Sequence, residues 1–289
     1  MVRKFAASVL KPLLILDYRI ANSSNNFLDF HKSEIWNGED VELFVFFVHF
    51  ERKGCIDEID TRALNFLLEN GYNVKVITNN RSLCSNSFNP IFARNLGRDL
   101  GVYRDLIKVL FEMDYKGKVI LLNNSVAWMA NGKLIQAMTY LEDNCSSNTV
   151  STLMESHQPI QHYQSFAFGL DFKSDLVSSF FNHVKNVRLK RSLINFGELQ
   201  ISKNALKQGL KIKSMFTYED VVSEFKAGKT KNGNRIEIQK LVHLQIPLNP
   251  TQHFWHEIIS LGFPGIKKNL LTSNPANLSY VPENFNDFA

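Results

Sequence analysis

The chain has 289 residues, of which 44% are hydrophobic and 12% are aromatic. This is enough apolar material for one large domain or two small ones, and it excludes a disordered chain. The formal net charge of +5 favours an anionic partner. The three cysteines, Cys55, Cys84 and Cys145, lie far apart and form no CxxC pair, which argues against a disulfide scaffold and a zinc site.

The positive charge is concentrated around residues 185–190, 203–213 and 226–235. It is not accompanied by a zinc spacing, a basic heptad array or an aromatic nucleic-acid signature, so we do not expect nucleic acid as the partner. A nucleotide diphosphate, or the headgroup face of a membrane that carries a lipid-linked acceptor, fits scattered lysines and arginines equally well. A solvated charged face is the alternative.

The first element of the chain begins with Arg3 and Lys4 before a short apolar stretch, a pattern that raises the question of a signal peptide. Lys11 and Pro12 interrupt the stretch and no small-residue cleavage pattern follows. We therefore predict an early strand or helix of the fold. No apolar run reaches the roughly 20 residues of a membrane span, so the expected location is cytoplasmic, with peripheral contact at the inner face of a membrane left open.

Alternating strands and helices are predicted from residue 41 onward. Gly71 is expected to end the first helix of this region. Strand and helix alternation with connections of this length is typical of parallel βαβ units in a three-layer α/β/α sandwich with a mostly parallel central sheet. The pattern predicts strands at 41–50, 74–78 and 119–122, and helices at 56–70 and 99–111.

Further elements are predicted after residue 125. Strands are expected at 149–154 and 165–170, and helices at 132–141, 175–184 and 196–209. The segment 227–235 combines glycine, asparagine and basic residues, which predicts a mobile loop. The predicted organisation is an N-terminal segment, 1–40, packed on a core, 41–225, with a C-terminal extension at 226–289.

Polar residues interrupt apolar segments at two places. The run 119–122 ends in Asn123, Asn124 and Ser125, and polar residues at 161–165 precede the apolar strand that follows. Because open α/β sheets bind ligands at the carboxyl ends of their strands, the two breaks predict a shared cleft. A simple turn is the alternative for Asn123 to Ser125.

The order of several short motifs between about residues 41 and 271 resembles that of the rhamnan synthesis protein F-like glycosyltransferases. The motifs that carry the resemblance are Val48-His49-Phe50, Arg94-Asn95-Leu96-Gly97-Arg98-Asp99, Leu122-Asn123-Asn124-Ser125, Gln164-Ser165-Phe166, Gly197-Glu198, Asn249-Pro250-Thr251-Gln252-His253-Phe254-Trp255 and Phe263-Pro264-Gly265-Ile266-Lys267-Lys268.

The resemblance implies a GT-A-like nucleotide-sugar-binding and catalytic domain at 41–225, followed by a C-terminal helical extension. It implies a cytoplasmic enzyme of surface-polysaccharide synthesis that moves a sugar, often rhamnose, from a nucleotide donor to a lipid-linked or oligosaccharide acceptor, by inversion. A non-catalytic glycan- or nucleotide-binding homologue is the alternative. Asn124 stands where the family usually carries Asp, and a neutral amide is a poor cation ligand, so a divalent cofactor (Mg²⁺ or Mn²⁺) held at Asn124 is left open.

The candidate residues fall into three groups. Glu198 is the first choice of general base, with Asp99 and His162 as the other catalytic candidates. The expected donor-binding residues are His49, Arg94, Asn95, Gly97, Arg98, Asn123, Asn124 and Ser125, in which the guanidinium groups would neutralise the diphosphate. The expected acceptor-binding residues are Gln164, Ser165, His253 and Trp255.

Four of these candidates have structural alternatives. Asp99 and Glu198 both stand at predicted helix starts, where a carboxylate is favoured in any case. A lone histidine beside aromatic residues, such as His162, is more often a satisfied core residue, and packing in the core explains Trp255 equally well.

Overall fold

The computed structural model describes residues 2–22, 24–27, 32–38, 40–50, 55–85, 88–228, 235–279 and 281. The predicted mobile loop at 227–235 therefore lies mostly outside the described residues. The helices are α1 (Val2–Ile20), α2 (Lys32–Ile35), α3 (Glu58–Glu69), α4 (Arg98–Glu112), α5 (Gly132–Asn144), α6 (Lys190–Phe196), α7 (Ile201–Lys207), α8 (Tyr218–Ala227), α9 (Arg235–His243), α10 (Pro250–His253) and α11 (Trp255–Ser260).

Eight strands form the central sheet and two more form a small second sheet. The central strands are β1 (Leu43–His49), β2 (Asn73–Thr78), β3 (Ile91–Phe92), β4 (Lys118–Asn123), β6 (Thr149–Ser156), β7 (His162–Tyr163), β8 (Ala167–Asp171) and β9 (Lys211–Phe216). Their order is β3-β2-β1-β4-β8-β6, with β7 and β9 both paired to β6. The small antiparallel sheet pairs β5 (Val126–Trp128) with β10 (Gly265–Lys267).

The central sheet is mostly parallel, as predicted. Strands β1 to β4 run parallel to one another, and β9 runs parallel to β6. Strand β8 is the main exception, because it lies antiparallel to both β4 and β6. Its amino end therefore meets the carboxyl ends of β1, β4 and β6 at one edge of the sheet.

The core lies on both faces of the sheet, which gives the three-layer α/β/α sandwich. Along β1, Phe46 and Val48 pack in a cluster with α4, whereas Val45 and Phe47 pack in a second cluster with α3 and α5. A strand that is buried on both faces needs a continuous apolar sequence, and β1 has one. This is the pattern that made the central strands predictable.

Two helix predictions need correction. Residues 175–184 form only a short 3₁₀ helix at Asp175–Ser179, which Ser174 caps at its start, and the backbone hydrogen bonds that follow, such as Asn182 N–H to the Ser179 carbonyl oxygen, join residues three apart and not four. The predicted helix at 196–209 starts as a 3₁₀ turn at Glu198–Gln200 and is helical only in α7, and Gly197 separates it from α6, which was not predicted. A Cβ at Gly197 would lie 2.5 Å from the Leu193 carbonyl oxygen, so this tight break requires glycine.

Both ends of the described chain pack on the core. Phe27 and Ile35 from the N-terminal segment are buried in the cluster that contains α4. Within the C-terminal segment, Phe254 and Ile258 pack in the cluster on the opposite face. No helix in the described part of the chain is long and apolar enough to cross a bilayer.

Candidate functional site

Asn123 organises the edge of the sheet where β4 ends. The side chain is buried, and its Nδ2 donates a hydrogen bond to Asp99 Oδ2 at 2.5 Å. Its Oδ1 accepts hydrogen bonds from the Ser125 backbone N–H (3.0 Å) and hydroxyl (2.6 Å). Asn124 and Ser125 do form the turn that joins β4 to β5, and Asn123 links this turn to Asp99.

Asp99 is the second residue of α4, directly after a tight left-handed turn at Gly97 (φ +70°) and Arg98 (φ +55°). A Cβ at Gly97 would lie 2.8 Å from Asn186 Oδ1, so the turn favours glycine on two grounds. Burial, and then the charge of Glu198, raises the pKa of Asp99 to about 6. A carboxyl group with such a pKa can exchange protons near neutrality.

Glu198 lies close enough to Asp99 for its charge to act on it. It begins the 3₁₀ turn after Gly197, and its Oε1 accepts a hydrogen bond from the Ser165 backbone N–H at 3.0 Å. Ser165 lies just before β8. Because β8 runs antiparallel to β4, Ser165 is at the carboxyl end of β4, and Glu198, which is bound to Ser165, is at the same place. The two carboxylates predicted as catalytic candidates are therefore neighbours.

Lys267 completes the group from the C-terminal segment. Its Nζ donates a hydrogen bond to Ser125 Oγ at 3.0 Å and lies 4.5 Å from the centroid of the Phe166 ring. Burial lowers the pKa of Lys267 to about 8, against the opposing attraction of Glu198 and Asp99. We call Asp99, Glu198 and Lys267, with Ser125, the sheet-edge cluster.

Sequence reasoning did not assign a role to Lys267. The residue lies in the closing motif 263–268, but nothing in the sequence shows that β10 pairs with β5. This pairing places Ile266 opposite Ala127 and delivers the next residue, Lys267, beside the turn after β4. The motif itself was the only available signal.

Three predicted donor-binding residues, Arg94, Asn95 and Arg98, are exposed on the loop that leads to Asp99. Asn26, a buried residue, fixes this loop. Its backbone carbonyl oxygen accepts a hydrogen bond from the Arg94 N–H, and its side-chain Oδ1 accepts one from the Leu96 N–H, both at 2.9 Å. The loop that carries Asp99 is therefore anchored to the core while its arginines face solvent.

A buried ion pair supports Asn26. Asp105 Oδ2 accepts hydrogen bonds from the Asn26 backbone N–H and Nδ2, and Asp105 Oδ1 accepts one from Arg104 Nε at 2.7 Å. Arg104 also donates to the Val184 carbonyl oxygen at 2.7 Å. All three side chains are almost fully buried. This network ties the N-terminal segment, α4 and the segment before α6 together beneath the site.

His49, a predicted donor-binding residue, is fully buried at the end of β1. Its Nε2 lies 3.4 Å from Asp60 Oδ2. Asp60 and Asp57 both accept hydrogen bonds from Lys268 Nζ, at 2.8 and 2.6 Å. The structure thus places His49 in an internal charged network next to the site and not on its surface.

Asn124 is engaged by the backbone of the neighbouring strand. Its Nδ2 donates to the Phe50 carbonyl oxygen at 3.4 Å and its Oδ1 accepts from the Phe50 N–H at 3.5 Å. The adjacent Ser125 hydroxyl already contacts the Lys267 ammonium group. The Asn124 amide is thus already hydrogen-bonded, and an ammonium group lies beside it. A divalent ion needs several oxygen ligands and prefers carboxylates, so this position does not fit such an ion.

The structure places most of the predicted acceptor residues in the interior. Gln164 Nε2 donates to Asn249 Oδ1 at 2.8 Å, and His253 Nδ1 lies 3.1 Å from the Asn249 carbonyl oxygen. Trp255 is 1% exposed and packs in the cluster that contains Ile266. Of the four predicted acceptor residues, only Ser165 lies beside the sheet-edge cluster.

His162, the third catalytic candidate, is also buried. Its Nδ1 lies 2.8 Å from the carbonyl oxygen of Ile160 in its own loop. Strand β7, which carries His162, lies next to the Glu198 turn. Among the described residues, the hydrogen bond seen for the His162 ring is to this carbonyl oxygen and not to the sheet-edge cluster.

Within the described ranges, one group of side chains has metal-ligating geometry, namely Glu155, His157 and Glu219. Glu155 Oε1 accepts a hydrogen bond from Gln161 at 2.5 Å and lies 3.3 Å from His157 Nε2. Its Oε2 accepts a hydrogen bond from the Tyr218 N–H at 3.3 Å. The buried carboxylate thus already has protein partners on both oxygens.

Compared with known proteins, the chain matches no family model. It is 24% identical over 200 residues to an uncharacterized protein of Sinorhizobium fredii, a match that covers 63% of this chain and 51% of that protein. The chain thus matches about half the length of this relative.

Two solved structures resemble the chain at low sequence identity. A mannose-1-phosphate geranyltransferase from Thermus thermophilus is 8% identical, with a TM-score of 0.37, and the match covers 66% of this chain and 80% of that one. A Bacillus anthracis protein assigned as a glucose-1-phosphate thymidylyltransferase, in complex with a sucrose, is 10% identical, with a TM-score of 0.36, over 68% and 99% of the two chains.

Proposed function

We propose that this protein is a glycosyltransferase that uses a nucleotide-sugar donor at the sheet-edge cluster. The observation that carries the proposal is that one ammonium group, Lys267, lies near two carboxylates, Asp99 and Glu198, which attract it, at the carboxyl edge of a mostly parallel sheet. A cation there suits a diphosphate, and a carboxylate beside it suits an acceptor hydroxyl. Open α/β sheets place ligands at this edge.

The reaction needs one proton acceptor and one stabilised leaving group. In the proposed step, a carboxylate removes the proton of the acceptor hydroxyl while the acceptor oxygen bonds to the anomeric carbon. The bond from that carbon to the diphosphate oxygen breaks at the same time, and the electron pair leaves with the diphosphate. Lys267 neutralises the charge that develops on the leaving group. This single displacement inverts the anomeric carbon.

Asp99 is the proposed base, with Glu198 as its neighbour. Support comes from the pKa of Asp99, which is raised to about 6 and so makes the carboxylate a better proton acceptor at neutral pH. Glu198 contributes part of this shift and is tied to the Ser165 backbone N–H. The proposal reverses the order of preference that sequence position suggested, in which Glu198 came first.

The proposed identities of the donor sugar and the acceptor are supported by the order of the sequence motifs alone. Its similarity to the rhamnan synthesis protein F-like glycosyltransferases supports a deoxyhexose such as rhamnose and a lipid-linked or oligosaccharide acceptor in surface-polysaccharide synthesis. A cytoplasmic location with peripheral membrane contact is part of the same proposal. The arginines at positions 94 and 98 are proposed to contact the donor diphosphate from the exposed loop.

A second candidate function is a non-catalytic nucleotide- or glycan-binding protein. It is favoured by Asn124, whose amide is bound to the Phe50 backbone at a position where the resembled family usually carries a carboxylate. Both functions use the same site. They differ in whether the bond to the diphosphate is broken.

Release of nucleoside diphosphate from a panel of nucleotide sugars, with and without oligosaccharide acceptors, tests the proposal. Loss of a general base lowers turnover by about 10²- to 10⁴-fold. We expect Asp99→Asn to show this loss with donor affinity retained, and Glu198→Gln to show a smaller one. Asp143→Asn, at an exposed position on α5, is the matched control. A wild-type protein that binds nucleotide sugars without cleaving them would favour the binding protein.

A further inference from the structure

Helix α1 (Val2–Ile20) exposes an apolar stripe to solvent. Leu13, Leu16 and Ile20 are 52%, 54% and 68% exposed, whereas Leu14 and Asp17 are buried against the rest of the protein. Residues spaced three and seven apart lie on one side of an α-helix. The stripe is therefore separate from the face by which α1 packs on the fold.

The stripe continues onto the segment before α6. The Asp17 carboxylate accepts hydrogen bonds from the backbone N–H groups of Arg188 and Leu189, both at 3.1 Å. At 100° per residue, Asp17 lies on the helix between the buried face and the stripe, so the segment that it binds, with Leu189, lies against α1 next to the stripe. Leu189 is itself 43% exposed. Four large apolar side chains thus share what we call the α1 surface: Leu13, Leu16, Ile20 and Leu189.

The two segments that carry these apolar side chains also expose basic ones. In the segments 11–20 and 185–191 the exposed charged residues are all cationic: Lys11, Arg19, Arg188, Lys190 and Arg191. The acidic residue in these segments, Asp17, is buried and bound to backbone N–H groups. Exposed apolar side chains with cationic side chains in the same segments have the chemistry of a surface that lies on anionic lipid.

We propose that the α1 surface docks the protein on an anionic lipid bilayer. The leucine and isoleucine side chains enter the headgroup boundary, and the lysine and arginine side chains bind lipid phosphates. The charge argues against a second copy of this chain as the occupant, because two such surfaces would repel each other. This inference does not depend on the proposed reaction, since the α1 surface and the sheet-edge cluster have no residue in common.

Cosedimentation of the full chain with vesicles tests this proposal. The vesicles are phosphatidylcholine alone or an equal mixture of phosphatidylcholine and phosphatidylglycerol. We expect binding to the mixed vesicles only, weakened at high salt because exposed charges are screened. The triple variant L13S/L16S/I20S is expected to bind at least tenfold more weakly with an unchanged melting temperature. Leu206→Ser, which alters a 78% exposed leucine on α7, is the matched control and keeps full binding.

Three results would overturn the proposal. They are an absence of wild-type binding to the mixed vesicles, equal binding by the triple variant, or a dimer in light scattering that the triple variant abolishes while vesicle binding is unchanged. Nucleotide binding is measured on the same preparations. A variant that loses vesicle binding but keeps its nucleotide affinity supports the role of the α1 surface and leaves the proposed function unaffected. Vesicle binding by a wild-type protein that binds no nucleotide counts against the proposed function and not against the α1 surface.

Discussion

At the scale of single residues, Asp99 and Lys267 are held in a site that disfavours the charged form of each. Burial raises the pKa of Asp99 to about 6 and lowers the pKa of Lys267 to about 8. Their mutual attraction offsets only part of the cost of burial. Groups whose pKa values are shifted in this way are common at functional sites, where a bound ligand brings its own charge.

The role of Lys267 can be tested by removing its charge. Lys267→Gln removes the ammonium group that contacts the Ser125 hydroxyl and keeps a polar, uncharged side chain. A hydrogen bond to a charged group contributes about 1.5–3 kcal/mol, so nucleoside diphosphate affinity should fall roughly 10- to 100-fold. Isothermal titration calorimetry measures the change. Lys207→Gln serves as control, and unchanged affinity in Lys267→Gln would remove this residue from the proposed donor site.

The raised pKa of Asp99 predicts how stability depends on pH. Between about pH 4 and pH 6 the folded protein binds a proton at Asp99 that the unfolded chain has released, so this residue's contribution to the free energy of unfolding falls as pH rises through that window. Asp99→Asn mimics the protonated form. The variant should therefore melt at a higher temperature than wild type at pH 7.5, with a smaller difference at pH 4.5.

Calorimetric melting at the two pH values provides the check. Asp143→Asn, at an exposed position on α5, controls for the general effect of removing one negative charge. If Asp99→Asn is destabilised at pH 7.5, the carboxylate is stabilising as an anion and the direction assigned to its pKa is incorrect.

At the scale of elements, the site depends on the direction of β8 and on the pairing of β10 with β5. The antiparallel course of β8 brings Ser165, and with it Glu198, to the carboxyl end of β4. The short β5–β10 sheet brings Lys267 to the same place. Each element contributes one charged side chain to a single edge.

The sequence predicts the central elements well because their signals are local. Continuous apolar runs identify β1 and β4, and helical spacing identifies α3, α4 and α5. Asp99 and Asn123 could be proposed as site residues because they stand at the ends of such elements. The direction of β8 and the pairing of β10 depend on contacts between distant segments, so the role of Lys267 could not be predicted.

The buried network beneath the site predicts a large loss of stability on its disruption. Asp105→Ala leaves the Arg104 guanidinium buried without its carboxylate partner, which typically costs about 3–5 kcal/mol. It also removes the carboxylate that holds Asn26. Urea unfolding of the variant should show this loss. Glu112→Ala, which breaks the exposed ion pair with Lys32, should cost less than about 1 kcal/mol.

Equal small losses in both variants would contradict this account of the network. The comparison is informative because the two pairs have similar separations, 2.7 and 2.9 Å, but very different burial. Burial, and not separation, is what makes the Arg104–Asp105 pair hard to replace.

At the scale of the whole molecule, segments from both ends of the described chain support one edge of the sheet. The N-terminal segment supports the loop before α4 through Asn26, and the C-terminal segment supplies Lys267 and Lys268. The same N-terminal segment carries the α1 surface. In this account, the N-terminal segment both supports the loop that carries Asp99 and docks the protein on lipid.

The most direct test of the central claim is a calorimetric titration of the wild-type protein with dTDP, UDP, GDP and CMP in the presence of EDTA. Because Lys267 supplies a fixed cation and the turn at Asn124 does not fit a divalent ion, we predict selective binding of one nucleoside diphosphate without added metal. Failure of every nucleotide to bind at millimolar concentration, or binding only when Mg²⁺ or Mn²⁺ is added, would contradict the account.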